Sequence, residues 1–342
     1  MPNNHCFTSA SFAYLDRVRV LAETLKKHQP DWTFWLCLCD EEPEGYTFDI
    51  ENESIDHVVR LTELNIPDLT QWTFCHDVIE LCTAVKGAML CHLFKLGAEK
   101  VIYLDPDVAV FASLDPIVKI LDEHSIVLTP HQLEPDSELP AIMDNEIGSL
   151  KHGVFNLGFI AVANNDTGRR FANWWNMRLM RFCWDDIPSG LFTDQRWCDL
   201  VPVFFPDTHI LRDPGYNVAS WNLSKRPITT DREGCIWAAN KILRFFHFTK
   251  VGSVGRIMLE RYSNGHLEML ELIHWYLQRL KANHSPELPK NWWAFAKYDD
   301  DTPIPKSHRI SYRKRPELMA RFTDPFATGV HSLEAHLSDQ EK

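Results

Sequence analysis

The 342-residue chain is 45% hydrophobic and 24% charged, the composition of ordinary folded material with room for one large domain or one domain and an appendage. A formal net charge of -12 excludes a general nucleic-acid binder, which needs a basic face to displace counterions from phosphates. The nine cysteines show no paired CxxC spacing that reads as a zinc site and read instead as buried, reduced thiols. The start, MPNNHCFTSASF, lacks a basic n-region and a long apolar h-region, and no stretch reaches the ~18 continuous apolar residues of a spanning helix, so a cytoplasmic location is expected.

The amino-terminal half alternates short apolar runs with amphipathic stretches, the pattern of βαβ units around a mainly parallel sheet. A strand over Cys6 to Phe12 is followed by Tyr14, Val18, Leu21 and Leu25 at helical spacing, then by a buried strand from Phe34 to Cys39 and a short one from His57 to Leu61. Asp77 to Leu96 reads as a long helix, with Val78, Leu81, Val85 and Met89 on one stripe and Gly97 as terminator. Strands are expected at Lys100 to Leu104, Val108 to Phe111 and Ser125 to Thr129. A polar loop at Pro130 to Ser149 is long enough to act as a lid. Downstream come a strand at Gly153 to Ala163, helices at Gly168 to Phe182 and from Thr193, and an apolar run from Leu243 to Phe248. Beyond about residue 256 the chain turns helical, at His266 to Lys281, and ends in a tail carrying His308, Arg309, Arg313, Lys314 and Arg315. That tail reads either as a solvated face or as a contact for anionic lipid or a phosphorylated acceptor.

The densest chemistry lies in VIYLDPDVAVF, residues 101 to 111, where Asp105 and Asp107 close an apolar run. Two carboxylates one residue apart at the carboxyl end of a buried strand suit a hard divalent cation carrying substrate phosphates, and Pro106 stiffens the turn between them. Asp-Pro-Asp alone is also an ordinary strand-ending turn.

Four ordered segments decide between these readings: VIYLDPDVAVF, GVFNLGFIAV at 153 to 162, TDQRWCDLVP at 193 to 202 and LRFFHFTK at 243 to 250. Together they resemble the GT-A glycosyltransferases, most closely the retaining, metal-dependent enzymes of glycosyltransferase family 8 and bacterial relatives. The resemblance implies an α/β GT-A (Rossmann-like) fold, with a mixed, mainly parallel sheet flanked by helices over residues 1 to 255 and a smaller helical region over 256 to 342. It implies Asp105, Asp107 and His247 as ligands of Mn²⁺ or Mg²⁺, the imidazole favouring Mn²⁺, and Lys250 on the diphosphate of a UDP-sugar donor. Here the family's Gly-Lys-Pro-Trp continuation is replaced by HFTKVGSVG.

Asn156 and Gly158 would line the donor sugar, Lys86 would stand near the donor, and Asp194 and Gln195 would face the anomeric carbon. Packing readings stand beside these: His247 as a core histidine, Gly158 as a strand bulge, Thr193 or Asp194 as a helix N-cap. Tyr216, Asn217, Trp221 and Asn222 combine rings and amides, as a sugar-stacking acceptor surface does. The implied activity is transfer of a hexose, with retention, to a glycan or glycolipid acceptor, with peripheral association at the inner membrane face. Asp194 is a nucleophile candidate, and attack from the face of departure is the favoured alternative. A metal-dependent nucleotidyltransferase is disfavoured because HCFTSASFAYLDR carries no Gly-rich basic loop. A catalytically silent sugar- or nucleotide-binding scaffold is disfavoured because both aspartates and the histidine are present.

Overall fold

A computed structural model describes residues 4–252, 254–263 and 265–340. Its centre is a seven-stranded sheet built from β1 (Asn4–Ala10), β2 (Thr33–Leu38), β3 (His57–Arg60), β4 (Lys100–Leu104), β6 (Ile126–Pro130), β7 (Phe155–Ala163) and β8 (Thr208–Ile210). The order across the sheet is β8-β6-β7-β4-β1-β2-β3. Only β7 runs against its neighbours, pairing antiparallel with both β4 and β6, while the remaining pairs are parallel. The fold is therefore the mixed, mainly parallel α/β arrangement expected from the alternation of apolar runs.

Strand periodicity sorts side chains onto two faces. Val101 and Tyr103 point into a core formed with α2 (Val78–Lys95) and α5 (Asp166–Phe182), which includes Leu81, Val85, Phe171 and Trp175. Ile102 and Leu104 point into the opposite core, against Val18 and Leu21 of α1 (Leu15–His28) and Ile117 of α3 (Asp115–Glu123). Helix α2 begins where the sequence places it. The Asp77 carboxylate accepts from the Ile79 and Glu80 amides, Glu80 accepts in return from the Asp77 amide, and Gly97 follows the helix at a φ of +92°.

A two-stranded antiparallel ribbon, β5 (Val108–Val110) with β9 (Phe245–His247), lies outside the main sheet and pairs Val108 with His247. After it, α7 (Val254–Tyr262) and α8 (Leu267–Ala282) build a third core in which Tyr276 stacks on Phe248 at 3.9 Å and 4°.

Three expectations need correction. The polar segment 130 to 149 is not a loop throughout: Leu139–Ala141, a π turn at Ile142–Glu146 and α4 (Ile147–His152) form a run of helix whose inner side is anchored by buried Ala141 and Asn145. No α-helix starts at Thr193; a 3-10 turn at Arg196–Leu200 leads into the short α6 (Val201–Phe204). The basic tail is largely internal. Arg309 donates to the carbonyls of Phe74, His76 and Phe295, and Arg313 pairs with Glu80 at 2.9 Å with both side chains buried. His308 is buried as well. These groups neutralise carbonyls and a carboxylate and are not presented to lipid or phosphate. Among the described residues no helix is long and apolar enough to cross a membrane, and all nine cysteines are free thiols.

Removing Arg313 strands the Glu80 carboxylate in the interior, so Arg313→Ala should lower the unfolding free energy by about 3–5 kcal/mol, read from the urea midpoint. A loss below about 1 kcal/mol, typical of surface pairs, would show that the pair is not holding the tail.

Candidate metal and donor site

β4 ends at Leu104, and a tight turn follows in which the Val108 amide donates to the Asp105 carbonyl at 3.0 Å. The Asp105 amide donates to the Gly158 carbonyl at 2.9 Å and ties the turn to β7. From Val108 the chain enters the ribbon with β9, and that register places His247 beside the acidic turn. His247 Nε2 lies 3.0 Å from Asp107 Oδ1 and 3.6 Å from Asp105 Oδ2. One donor atom from each of the three residues falls within 4.8 Å of the others. Residues 140 positions apart in sequence thus converge on one point.

The two oxygens of Asp105 have different partners. Oδ1 accepts from Tyr103 Oη at 2.5 Å and lies 3.3 Å from Lys86 Nζ, while Oδ2 turns toward His247. Lys86 is buried on α2 and lies 2.8 Å from Asp194 Oδ2, donates to the Leu157 carbonyl at 3.0 Å and sits 4.1 Å above the Tyr103 ring. A buried ammonium flanked by two carboxylates is the arrangement in which a charge survives desolvation.

The shifts in proton affinity follow from this network. Burial alone would lower Lys86, but Asp105 and then Asp194 outweigh it and raise its pKa. Burial raises Asp194, with Lys86 opposing. Burial also acts against charge on Asp107 and on His247, yet each is moved toward its charged form by the other, Asp107 down and His247 up.

Two oxygens and one imidazole nitrogen, 3.0 and 3.6 Å apart, are spaced like adjacent donors of one small cation with bonds of about 2.1 Å. The donor set is compatible with a divalent metal, and a mixed O,O,N set suits a transition ion such as Mn²⁺. His247 is held by contact: its buried Nδ1 has no hydrogen-bond partner among the described residues, and a Cβ on Gly158 would fall 2.5 Å from Nδ1 and 2.4 Å from Cε1. Gly158 is therefore needed for the close approach of this ring, a use distinct from a bulge.

A polar layer lies behind the triad. Asn156 Oδ1 accepts from the Gly158 amide and from Asn217 Nδ2, both at 3.0 Å, and Asn156 Nδ2 contacts His131 Nε2 at 3.2 Å. Gln195 Oε1 accepts from the Leu157 amide at 3.2 Å and its Nε2 donates to the His152 carbonyl at 3.0 Å, so the side-chain amide bridges β7 and α4. Asp194 is buried with its carboxylate on Lys86 and Thr193. Thr193, Asn217 and Lys250 all have positive φ, at 43°, 52° and 49°. Left-handed backbone at a β-branched residue costs on the order of 1–3 kcal/mol and tends to cluster at functional sites.

Asp105, Asp107, His247, Lys86, Asp194, Asn156, Gly158 and Gln195 are thus brought together. Lys250 is exposed, three residues beyond His247, and its charge reaches His152. Of the four acceptor residues, Tyr216 is a core residue packed edge-on against Phe245 at 5.9 Å. Trp221 stands edge-on to His247 at 5.2 Å, and Asn217 and Asn222 belong to the polar layer. Sequence reading missed Tyr103 and His131. Tyr103 was accessible, since residues i and i+2 of a strand share a face and Tyr103 precedes Asp105 by two. His131 follows a strand end without any local pattern to mark it.

Burial lowers the pKa of His131 and of His76, each to about 4 against an ordinary 6.5. Both imidazoles are neutral in the fold, so their stabilising contribution is complete above 6.5 and lost as pH falls toward 4. Unfolding near pH 5 should take up protons at these sites, and His76→Gln with His131→Gln should flatten the slope of stability against pH in that window. An unchanged slope would contradict the neutral assignment.

No family model matches the chain. Two proteins of Bacillus subtilis (strain 168) are similar in sequence. Uncharacterized protein YfnF is 22% identical over 308 residues, covering 88% of this chain and 100% of that protein. Uncharacterized protein YfnD is 24% identical over 255 residues, covering 73% and 78%. Among solved structures, the galactosyltransferase LgtC in complex with donor and acceptor sugar analogs aligns with a TM-score of 0.44 at 16% identity, over 84% of this chain and 98% of that one. Mouse xyloside xylosyltransferase 1 in its apo form aligns with a TM-score of 0.41 at 13% identity, over 73% and 99%.

Proposed function

We propose that this chain is a GT-A-type, retaining glycosyltransferase that moves a hexose from a UDP-sugar to a hydroxyl of a glycan or glycolipid acceptor, with Mn²⁺ held by Asp105, Asp107 and His247. The observation that carries the reading is the convergence of those three donors at the carboxyl end of β4, next to a buried Lys86 that is itself clasped by Asp194. The carboxyl edge of a parallel α/β sheet is where phosphate-bearing ligands bind. The cation, when bound, supplies charge neutralisation for the diphosphate of the departing nucleotide.

The chain's own residues have separable roles in this reading. Lys86 fixes which oxygen of Asp105 faces the metal position and holds Asp194 in register with it. Asn156, its amide taken up by Gly158, Asn217 and His131, shapes the wall of β7 behind the metal position on which the donor sugar would rest. Gln195 joins the strand that carries Asn156 and Gly158 to the helix that ends at His152. Lys250 provides an exposed cation on the same side for the leaving diphosphate. Because Asp194 is buried on Lys86, it serves by position and charge, and attack of the acceptor from the face of departure is the mechanism preferred over an aspartyl-sugar intermediate.

The direct test is a screen of nucleotide sugars with Mn²⁺ present or chelated, scored by nucleotide release. Release from a UDP-sugar that requires the metal is expected; none with any nucleotide sugar would overturn the reading. Asp107→Ala should abolish turnover with the fold intact by circular dichroism, and full activity in that variant would remove the metal assignment. Gly158→Ala forces the His247 ring away, so its Mn²⁺ affinity should fall roughly tenfold or more. Unaltered affinity would mean that the imidazole is not a ligand.

A further inference from the structure

The carboxyl ends of β4, β1 and β2 stand side by side at one edge of the sheet. β4 leads into the acidic turn, β1 into residues 11 to 14, and β2 into Cys39 and Asp40. Tyr14 stands exposed beside the acidic turn, and the charge of Asp107 reaches its hydroxyl. A ligand held by its phosphates at that turn therefore has the ends of β1 and then β2 to lie across.

At β2 this edge is closed by a strap from the carboxyl-terminal region. Residues 292 to 295 cross it with a tryptophan on each side of the sheet: Trp292 packs against the core that holds Phe34 and Leu38, Trp293 against the core that holds Cys37 and Cys39. Trp292 Nε1 donates to the Glu41 carbonyl at 2.8 Å and Trp293 Nε1 to the Cys39 carbonyl at 3.3 Å. Arg309 backs the strap, 5.0 Å from the Trp293 ring and donating to the Phe295 carbonyl. Between the two tryptophans lies Asp40, 4% exposed. Its Oδ1 accepts from the Ala294 amide at 2.7 Å and the Glu41 amide at 2.9 Å, and its Oδ2 from the Phe12 amide at 3.0 Å. One buried carboxylate thus joins the strap, the end of β2 and the loop after β1.

We propose that Asp40 is a positioning residue, a latch that holds residues 292 to 295 against the loop after β1 so that the carboxyl-terminal region forms the far wall of the donor crevice. The role of the wall toward a donor rests on the sugar-transfer reading; the latch itself does not. Without Asp40 the Phe12 and Ala294 amides lose their acceptor and the strap loses its central tie. Closure is also linked to a proton. Burial raises the Asp40 pKa from 3.8 to about 7, the three amides opposing and the charge of Glu41 adding. Around it Glu42 is paired with Arg60, Asp16 with Arg17 and Lys297 with Asp301, while Lys290 is exposed. Burial raises the Tyr14 hydroxyl and the Cys39 thiol, which keeps both neutral in this range. Lifting the strap returns Asp40 to water and to ordinary carboxylate behaviour, so the closed state holds the proton more tightly than the open one. Opening is therefore suppressed progressively as pH falls from about 7 toward 3.8 and is independent of pH above that window.

The test is amide hydrogen exchange of the full chain, read by mass spectrometry at residues 292 to 295 and corrected for the intrinsic exchange rate at each pH. Protection should rise by up to roughly tenfold per unit as pH falls from 7 to 5 and level off above 8. Asp40→Asn, which keeps the shape without the titration, should remove that slope. A parent without the slope, or an Asn variant that retains it, would overturn the latch. Asp40→Ala should lower protection of the strap at every pH and weaken UDP binding in the presence of Mn²⁺ roughly tenfold, with binding of Mn²⁺ alone unchanged and circular dichroism like the parent's. UDP affinity equal to the parent's in a variant with a loosened strap would overturn the wall. Absence of UDP binding by the parent would overturn the sugar-transfer reading and the wall with it, whereas the exchange experiment uses no nucleotide and decides the latch separately.

Discussion

A buried ammonium group holds this site together. Lys86 is buried, so its charge is tolerable only because Asp105 and Asp194 stand 3.3 and 2.8 Å away and the Leu157 carbonyl accepts a hydrogen bond. Those partners come from the end of β4, from its sheet neighbour β7 and from the segment after α5, and the ammonium ties the last of these to the sheet. The ion-pair cluster fixes one oxygen of Asp105 inward and leaves the other outward, beside Asp107 and His247. A cluster of donors compatible with a divalent cation is then a consequence of how one internal charge is neutralised.

The outer half of the site depends on the β5–β9 ribbon. Because Val108 is opposite His247, the residue after the acidic turn sets the position of an imidazole far away in sequence. The absence of a side chain on Gly158 lets the ring approach β7. Positive φ at Thr193, Asn217 and Lys250 falls next to Asp194, beside Asn156 and three residues after His247, and the polar layer of Asn156, Gln195 and His131 packs behind the acidic turn.

Much of this was legible from sequence where the signal was local. Strand β4 shows as an apolar run closed by Asp-Pro-Asp, and α2 shows as an apolar stripe of Val78, Leu81, Val85 and Met89 between Asp77 and Gly97. Failures occurred where a partner far away in sequence decides the outcome. Arg309 and Arg313 read as surface charge until Glu80 and the carbonyls of Phe74 and His76 are brought to them. Tyr216 reads as a sugar platform until Phe245 covers it. In residues 130 to 149, prolines and acids masked Leu139, Met143, Ile147 and Leu150, whose exposure gives no core periodicity to recognise. The partners of Gln195, the Leu157 amide and the His152 carbonyl, are backbone groups that carry no sequence signal.

The central claim is that Asp105, Asp107 and His247 are three ligands of one cation whose occupancy is coupled to a nucleotide diphosphate. Calorimetric titration of Mn²⁺ into the protein, with and without UDP, measures that coupling directly. One site per chain is expected, tightened by UDP and lost in Asp107→Ala, with the fold of the variant unchanged. Equal Mn²⁺ binding by the parent and the Asp107 variant, or no effect of UDP on either, would contradict it.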